Sequence, residues 1–299
     1  MQPSRDEVLA RERRWALPVA LATLVAVALI VAATFVVGSV SGDGDAEVLR
    51  SVDENSGAVI LSGVMQGVAF LLLVAPLVYL FRAAQARSER VRGQLIGLVV
   101  AAPLFLSVAA ILTAVATTDA ASEFVAGKAS ADLARPEAID DCSDEERDDA
   151  EAFRDDYGKG AASLQRCATI KVEDDRAENA IADPPARGIA TGFGFGGRIG
   201  LAFALLYTCL WAMRTGLLTR FWGSLGMAMG AAALLLLIQF TLIWFLYFAL
   251  LVAGWIPGGR PPAWASGEAI PWPTPGEKAA DGLSRAPDEP DPTEEGQSR

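Results

Sequence analysis

Arg198 is the one cation set well inside an apolar stretch of this chain, and Gln66 and Gln239 are amides placed in the same way in two other stretches. A guanidinium where water is scarce is costly. It is there either to bind an anion, such as a lipid phosphate or an anionic substrate, or because its long stem returns the charge to the headgroups. The two amides serve either as interhelical hydrogen-bond glue or as stations on a polar path. With no carboxylate in these stretches, a membrane-embedded proton relay has no members.

Histidine is absent, which removes Ser-His-Asp and Cys-His nucleophile activation and histidine metal ligation together. The acidic run Asp140, Asp141, Asp144, Glu145, Glu146, Asp148, Asp149 and Glu151 lacks the ligand spacing and central glycine of an EF-hand, so a solvated helix face is expected rather than a calcium site. Gly192, Gly194 and Gly197 meet the G-x-G-x-x-G pattern only formally, since no strand precedes them. No cofactor is expected. Cys142 and Cys167 lie in one long polar segment and are expected to pair, whereas Cys209 lies in an apolar stretch as inert packing.

The elements that must position these groups are membrane helices. A helical crossing needs roughly 20 apolar residues. Blocks of that kind run over 15–40, 58–81, 95–116, 191–213 and 221–254, none containing an acidic residue. The fold class is therefore all-α, a polytopic transmembrane bundle with a small helical region outside the membrane, since only helices satisfy their own backbone in lipid without strand alternation. The first block is too long for a secretory signal and reads as an uncleaved anchor after the cytoplasmic residues 1–14. The fifth block would be about 50 Å long as one helix. No proline or glycine lies between Ala231 and Ala253, so one long helix is favoured over a tight hairpin breaking near Gln239.

Arginines fix the expected orientation. Arg11, Arg13 and Arg14 precede the first block, Arg82, Arg87, Arg90 and Arg92 follow the second, and Arg214 and Arg220 flank the fourth connection, so these segments and the N-terminus are cytoplasmic in a cell-membrane protein. The net charge of −11 argues against nucleic acid as a partner. In the acidic outer loop, 117–190, a helix is expected from Asp144 to Tyr157, capped by Ser143. A further stretch, Ala120 to Ala134, would extend the third span until Arg135-Pro136 stops it. Residues 257–299, rich in proline, tryptophan and acid, read as a disordered or polyproline II tail, available either to a membrane protein partner or to the interface.

Small residues at helical spacing supply the packing surfaces: Gly63 and Gly67, then Gly192, Gly196 and Gly200, then Gly226 and Gly230. They are expected to pack the bundle internally rather than to dimerise it.

The string Arg214-Thr215-Gly216-Leu217-Leu218-Thr219-Arg220-Phe221-Trp222-Gly223-Ser224-Leu225-Gly226, and the later Pro257-Gly258-Gly259-Arg260-Pro261-Pro262-Ala263-Trp264 with Gly267-Glu268-Ala269-Ile270-Pro271-Trp272-Pro273, resemble uncharacterised multi-pass membrane proteins common in actinobacteria. The resemblance covers roughly the last third of the chain and brings no activity with it. It implies about six spans with a break in the region Leu234 to Ile243, usually marked by prolines that this chain lacks.

The expected function is a non-enzymatic accessory, scaffold or sensing component in the lipid bilayer. A small transporter or channel-like protein is the alternative, and a lipid-acting membrane enzyme is third.

Overall fold

The computed structural model describes residues 4–38, 40, 42, 44–158, 162–182, 184–235 and 238–273. Among the described residues, four helices are long and apolar enough to cross a membrane: α1 (Arg5–Val37), α3 (Ser56–Arg87), α4 (Ile96–Val125) and α8 (Pro185–Arg214). The chain is an all-α polytopic membrane bundle. The remaining helices are α2 (Asp45–Glu54), α5 (Arg135–Asp148), α6 (Ala150–Tyr157), α7 (Ser163–Ala182), α9 (Arg220–Leu234), α10 (Thr241–Ala253) and α11 (Pro262–Ser266).

α1 starts well before the apolar block. Ser4 caps it by accepting from the Glu7 backbone while the Glu7 carboxylate accepts from the Ser4 backbone, so its first turns stand clear of the apolar length. The membrane segments close into a ring in the order α1, α3, α4, α8, α9, α10, with α10 returning to α1. The starts of α1, α4 and α9 and the ends of α3, α8 and α10 lie at one end, called basal below. The α2, α5, α6 and α7 helices form a cap at the other.

The fifth apolar block is two helices, not one. α9 ends at Leu234, a 3-10 turn spans Ile238–Phe240, and α10 runs back antiparallel to α9. What bends the chain is tertiary packing. Trp244 of α10 sits over Gly226 of α9, the Trp244 indole donates to the Trp222 carbonyl at 3.1 Å, and Trp222 stacks on Tyr247 with ring centroids 3.4 Å apart. With 15 and 13 residues the two helices reach only about 22 and 20 Å. The hairpin thus stops short of the ~30 Å apolar core, where the full-length helices continue.

The cap also departs from expectation. Pro136 opens a helix rather than closing one, because a proline costs nothing in the first turn, and α5 runs through Ser143 without using it as a cap. The break comes at Asp149, whose carboxylate accepts from the Glu151 and Ala152 backbones and starts α6. α4 ends at Val125, short of Ala134. Neither α2 nor α7 was anticipated. Ala46, Leu49 and Val52 give α2 one apolar stripe, buried against Phe124 of α4 and Ala177 of α7. The Cys142 and Cys167 sulfurs lie at bonding distance and tie α5 to α7. Phe153 packs beside that pair with Tyr157 on the same face, ring centroids 4.9 Å apart.

Of the tail, residues up to Pro273 are described and are docked on the basal end. The acidic run beyond, expected to be disordered, lies outside the described residues. Trp264 donates to the Leu217 carbonyl at 2.9 Å, Trp272 to the Leu218 carbonyl at 2.8 Å, and Arg220 to the Pro273 carbonyl at 2.6 Å. The segment 255–273 is therefore a strap. It packs on the α8–α9 turn, where Gly216 has a φ of +78° and approaches the Ile270 carbonyl so closely that no side chain would fit. The two strings quoted above for their resemblance are the two that meet here.

Candidate functional site

Gln66, Arg198 and Gln239 come from three different segments and line one cavity of about 700 Å³. Its walls are the last turn of α1 (Val37), α2 (Val48, Val52), the first half of α3, α4 from Leu106 to Thr117 and the first half of α8. Gln239, in the turn at the hairpin tip, closes it on the basal side. The cavity exists because the hairpin is short: where α9 and α10 stop, no described helix continues the ring between α8 and α1.

Arg198 lies thirteen residues into α8, about 20 Å from its start. It is part-buried, and among the described residues it has no hydrogen bond or ion pair. Arg187, in the first turn of α8, is the other charged lining residue. Among the described lining residues there is no carboxylate, and the charged side chains are both arginines. Polar groups around it are the Ser62, Thr113, Thr117 and Thr191 hydroxyls and the Gln66 amide, which donates to Ser62 Oγ at 3.2 Å. This set can accept and orient an anion through charge-assisted donors, while Phe70, Leu106 and Phe195 offer an apolar surface beside it. Arg187 was not among the residues the sequence singled out.

The glycines expected to pack helices take different places. A methyl on Gly67 would stand 3.2 Å from the Ser107 carbonyl of α4, one on Gly200 2.8 Å from the Ala102 side chain, and one on Gly230 3.0 Å from the Ala202 carbonyl of α8. Gly63 would meet Ala114, Gly196 only the edge of Phe105, Gly226 both Cys209 and Trp244, and Gly192 nothing. Gly197, named above only for the formal G-x-G-x-x-G pattern, also packs closely: a methyl there would stand 2.8 Å from the Leu106 side chain.

Basal to the cavity the bundle is filled. Leu73, Leu77, Leu201, Leu205, Trp244, Phe245 and Phe248 are all buried there. Below them lies a buried ion pair that the sequence did not disclose. Arg87 uses all five N–H donors: Nη1 to Glu12 at 2.5 Å and to the Ala83 carbonyl at 3.0 Å, Nη2 to Glu12 at 3.0 Å and to the Ala263 carbonyl at 2.9 Å, and Nε to the same carbonyl at 3.1 Å. The Arg87 side chain is 0% exposed and that of Glu12 8%. Trp264 of the strap lies between Arg87, 5.6 Å from its ring, and Tyr79, stacked at 5.7 Å, whose hydroxyl donates to the Glu12 carbonyl. α1, α3 and the strap are thus joined at one point.

Set against family models, curated proteins and solved structures, the chain matches none of them.

Proposed function

We propose that this protein is a non-enzymatic membrane component, an accessory or sensing subunit, that holds an anionic ligand in the cavity above the hairpin tip. The observation that carries the reading is Arg198: part-buried, without a partner among the described residues, and facing a cavity whose described lining residues include hydroxyls and amides but no carboxylate. An unpaired cation in such surroundings is stabilised by an anion that brings its own charge. Among the described lining residues no base stands beside the hydroxyls to activate a nucleophile, which favours binding over chemistry. The filled basal half and its ion pair favour a closed-ended site over a conduction path.

The basal end carries the arginines of α1, of the α3–α4 connection and of the α8–α9 turn. On the positive-inside rule it faces the cytoplasm, with the cap outside the cell membrane. Kinship with the actinobacterial multi-pass group belongs to the same proposal. A protein partner, on this reading, meets residues after Pro273, because Trp264 and Trp272 are already engaged within the chain.

The test is extraction and mass spectrometry of lipids and small molecules that co-purify with the wild type and with Arg198→Gln. An anionic compound near one per chain, lost in the variant, is expected. Identical profiles would mean that Arg198 only reaches for headgroups, and the reading falls. Flux of that compound through reconstituted vesicles would instead establish the transporter.

A further inference from the structure

A second opening, about 560 Å³, lies on the opposite half of the molecule between the basal halves of α1 and α3. These helices run antiparallel, and the Tyr79 hydroxyl on the Glu12 carbonyl fixes their register. Arg11 and Arg82 then come to one level, Trp15 and Val78 one turn deeper, and Val19 a further turn in, with Leu71 at the far end; all line the groove. From Arg82 to Leu71 is about 16 Å of helix, half the apolar core. The groove is one leaflet long, cationic at the membrane edge and apolar within.

Arg11 and Arg82 are both exposed and have no hydrogen bond or ion pair among the described residues. Glu12, the one carboxylate among the described residues that line the groove, is committed to Arg87. Two like charges at the edge of a low-dielectric groove repel, and an anion between them removes that cost. Trp15, 54% exposed, sits where an indole favours the headgroup boundary. We infer that this groove binds one anionic phospholipid of the basal leaflet, its phosphate between Arg11 and Arg82 and one acyl chain laid along Trp15, Val19 and Leu71. The site is separate from the Arg198 cavity, and neither reading depends on the other.

The test uses full-length, delipidated protein in mild detergent, titrated with phosphatidylglycerol or phosphatidylcholine of matched chains and followed by native mass spectrometry. It is run on the wild type and on an Arg198→Gln background, so that the cavity cannot supply the signal. Phosphatidylglycerol is expected to bind at least tenfold tighter in both. Arg11→Gln with Arg82→Gln should bring it to the phosphatidylcholine level, while Arg11→Lys with Arg82→Lys keeps most of the preference. Ala75→Phe, which fills the groove and leaves both arginines, should weaken both lipids at least fivefold. A preference that survives the double glutamine variant, lipid binding indifferent to Ala75→Phe, or displacement of the lipid by inorganic phosphate would each overturn the inference, the last by making this a site for a free anion.

Discussion

At the residue scale the Glu12–Arg87 pair has the clearest energetic consequence. Removing one partner of a buried pair leaves the other charged and unpaired, a loss of roughly 3–5 kcal/mol, whereas replacing both with apolar groups of similar volume is often close to neutral. Arg87→Ala is therefore expected to lower the melting temperature in detergent far more than Glu12→Leu combined with Arg87→Met. If the double variant melts as low as Arg87→Ala, the pair is not acting as a unit. Nothing in the linear sequence marks Arg87 among Arg82, Arg90 and Arg92, because what distinguishes it is a carboxylate 75 residues away and a carbonyl 176 residues away. The available hint was Glu12, an acid set between Arg11 and Arg13 in a basic flank. Arg198, Gln66 and Gln239 were legible as types, since polarity inside an apolar run is visible without any fold. That they share one cavity was not, because it depends on where the hairpin stops.

At the element scale the hairpin decides the shape of the cavity, and its packing rests on small residues of α9 facing large aromatics of α10. Gly226→Ala raises intrinsic helix propensity by about 1 kcal/mol, yet its methyl would fall on Cys209 and within 2.5 Å of the Trp244 indole. The variant is expected to melt several degrees below the wild type. Gly192→Ala, which meets nothing within 4 Å, should melt with the wild type or slightly above. Equal melting of the two would mean that the hairpin does not depend on that contact. The four long spans were readable because an uninterrupted apolar run has one solution in lipid. The break was not, because proline and glycine are the local signals of a turn, and this one is imposed by Trp222, Trp244 and Tyr247 meeting across the bend. The excess length of the block, about 50 Å against a 30 Å core, was the clue pointing the other way. In the cap, α7 was missed because its apolar face, Cys167, Ala168, Ala177 and Ala180, is made of small residues that give a weak periodic signal.

For the whole molecule, the hairpin sets the parity of the chain: α10 returns to the end from which α9 starts, so the strap and α1 meet on one side. A reporter active only in the cytoplasm, fused after Arg299, is expected to be active, and equally active when fused before Ser4. Opposite readings from the two fusions would require the fifth block to cross once and would contradict α10. The strap has a consequence in time as well. Its seat is made of Tyr79, Arg87, Glu12 and the Leu217 carbonyl, all of which leave the ribosome before Trp264 does. Until Ala263 and Trp264 have been synthesised, Arg87 lacks two of its five acceptor contacts and the basal end is left open. A chain cut short anywhere before Trp264 would carry that opening permanently, a mark by which a membrane protease could tell an unfinished copy from a finished one.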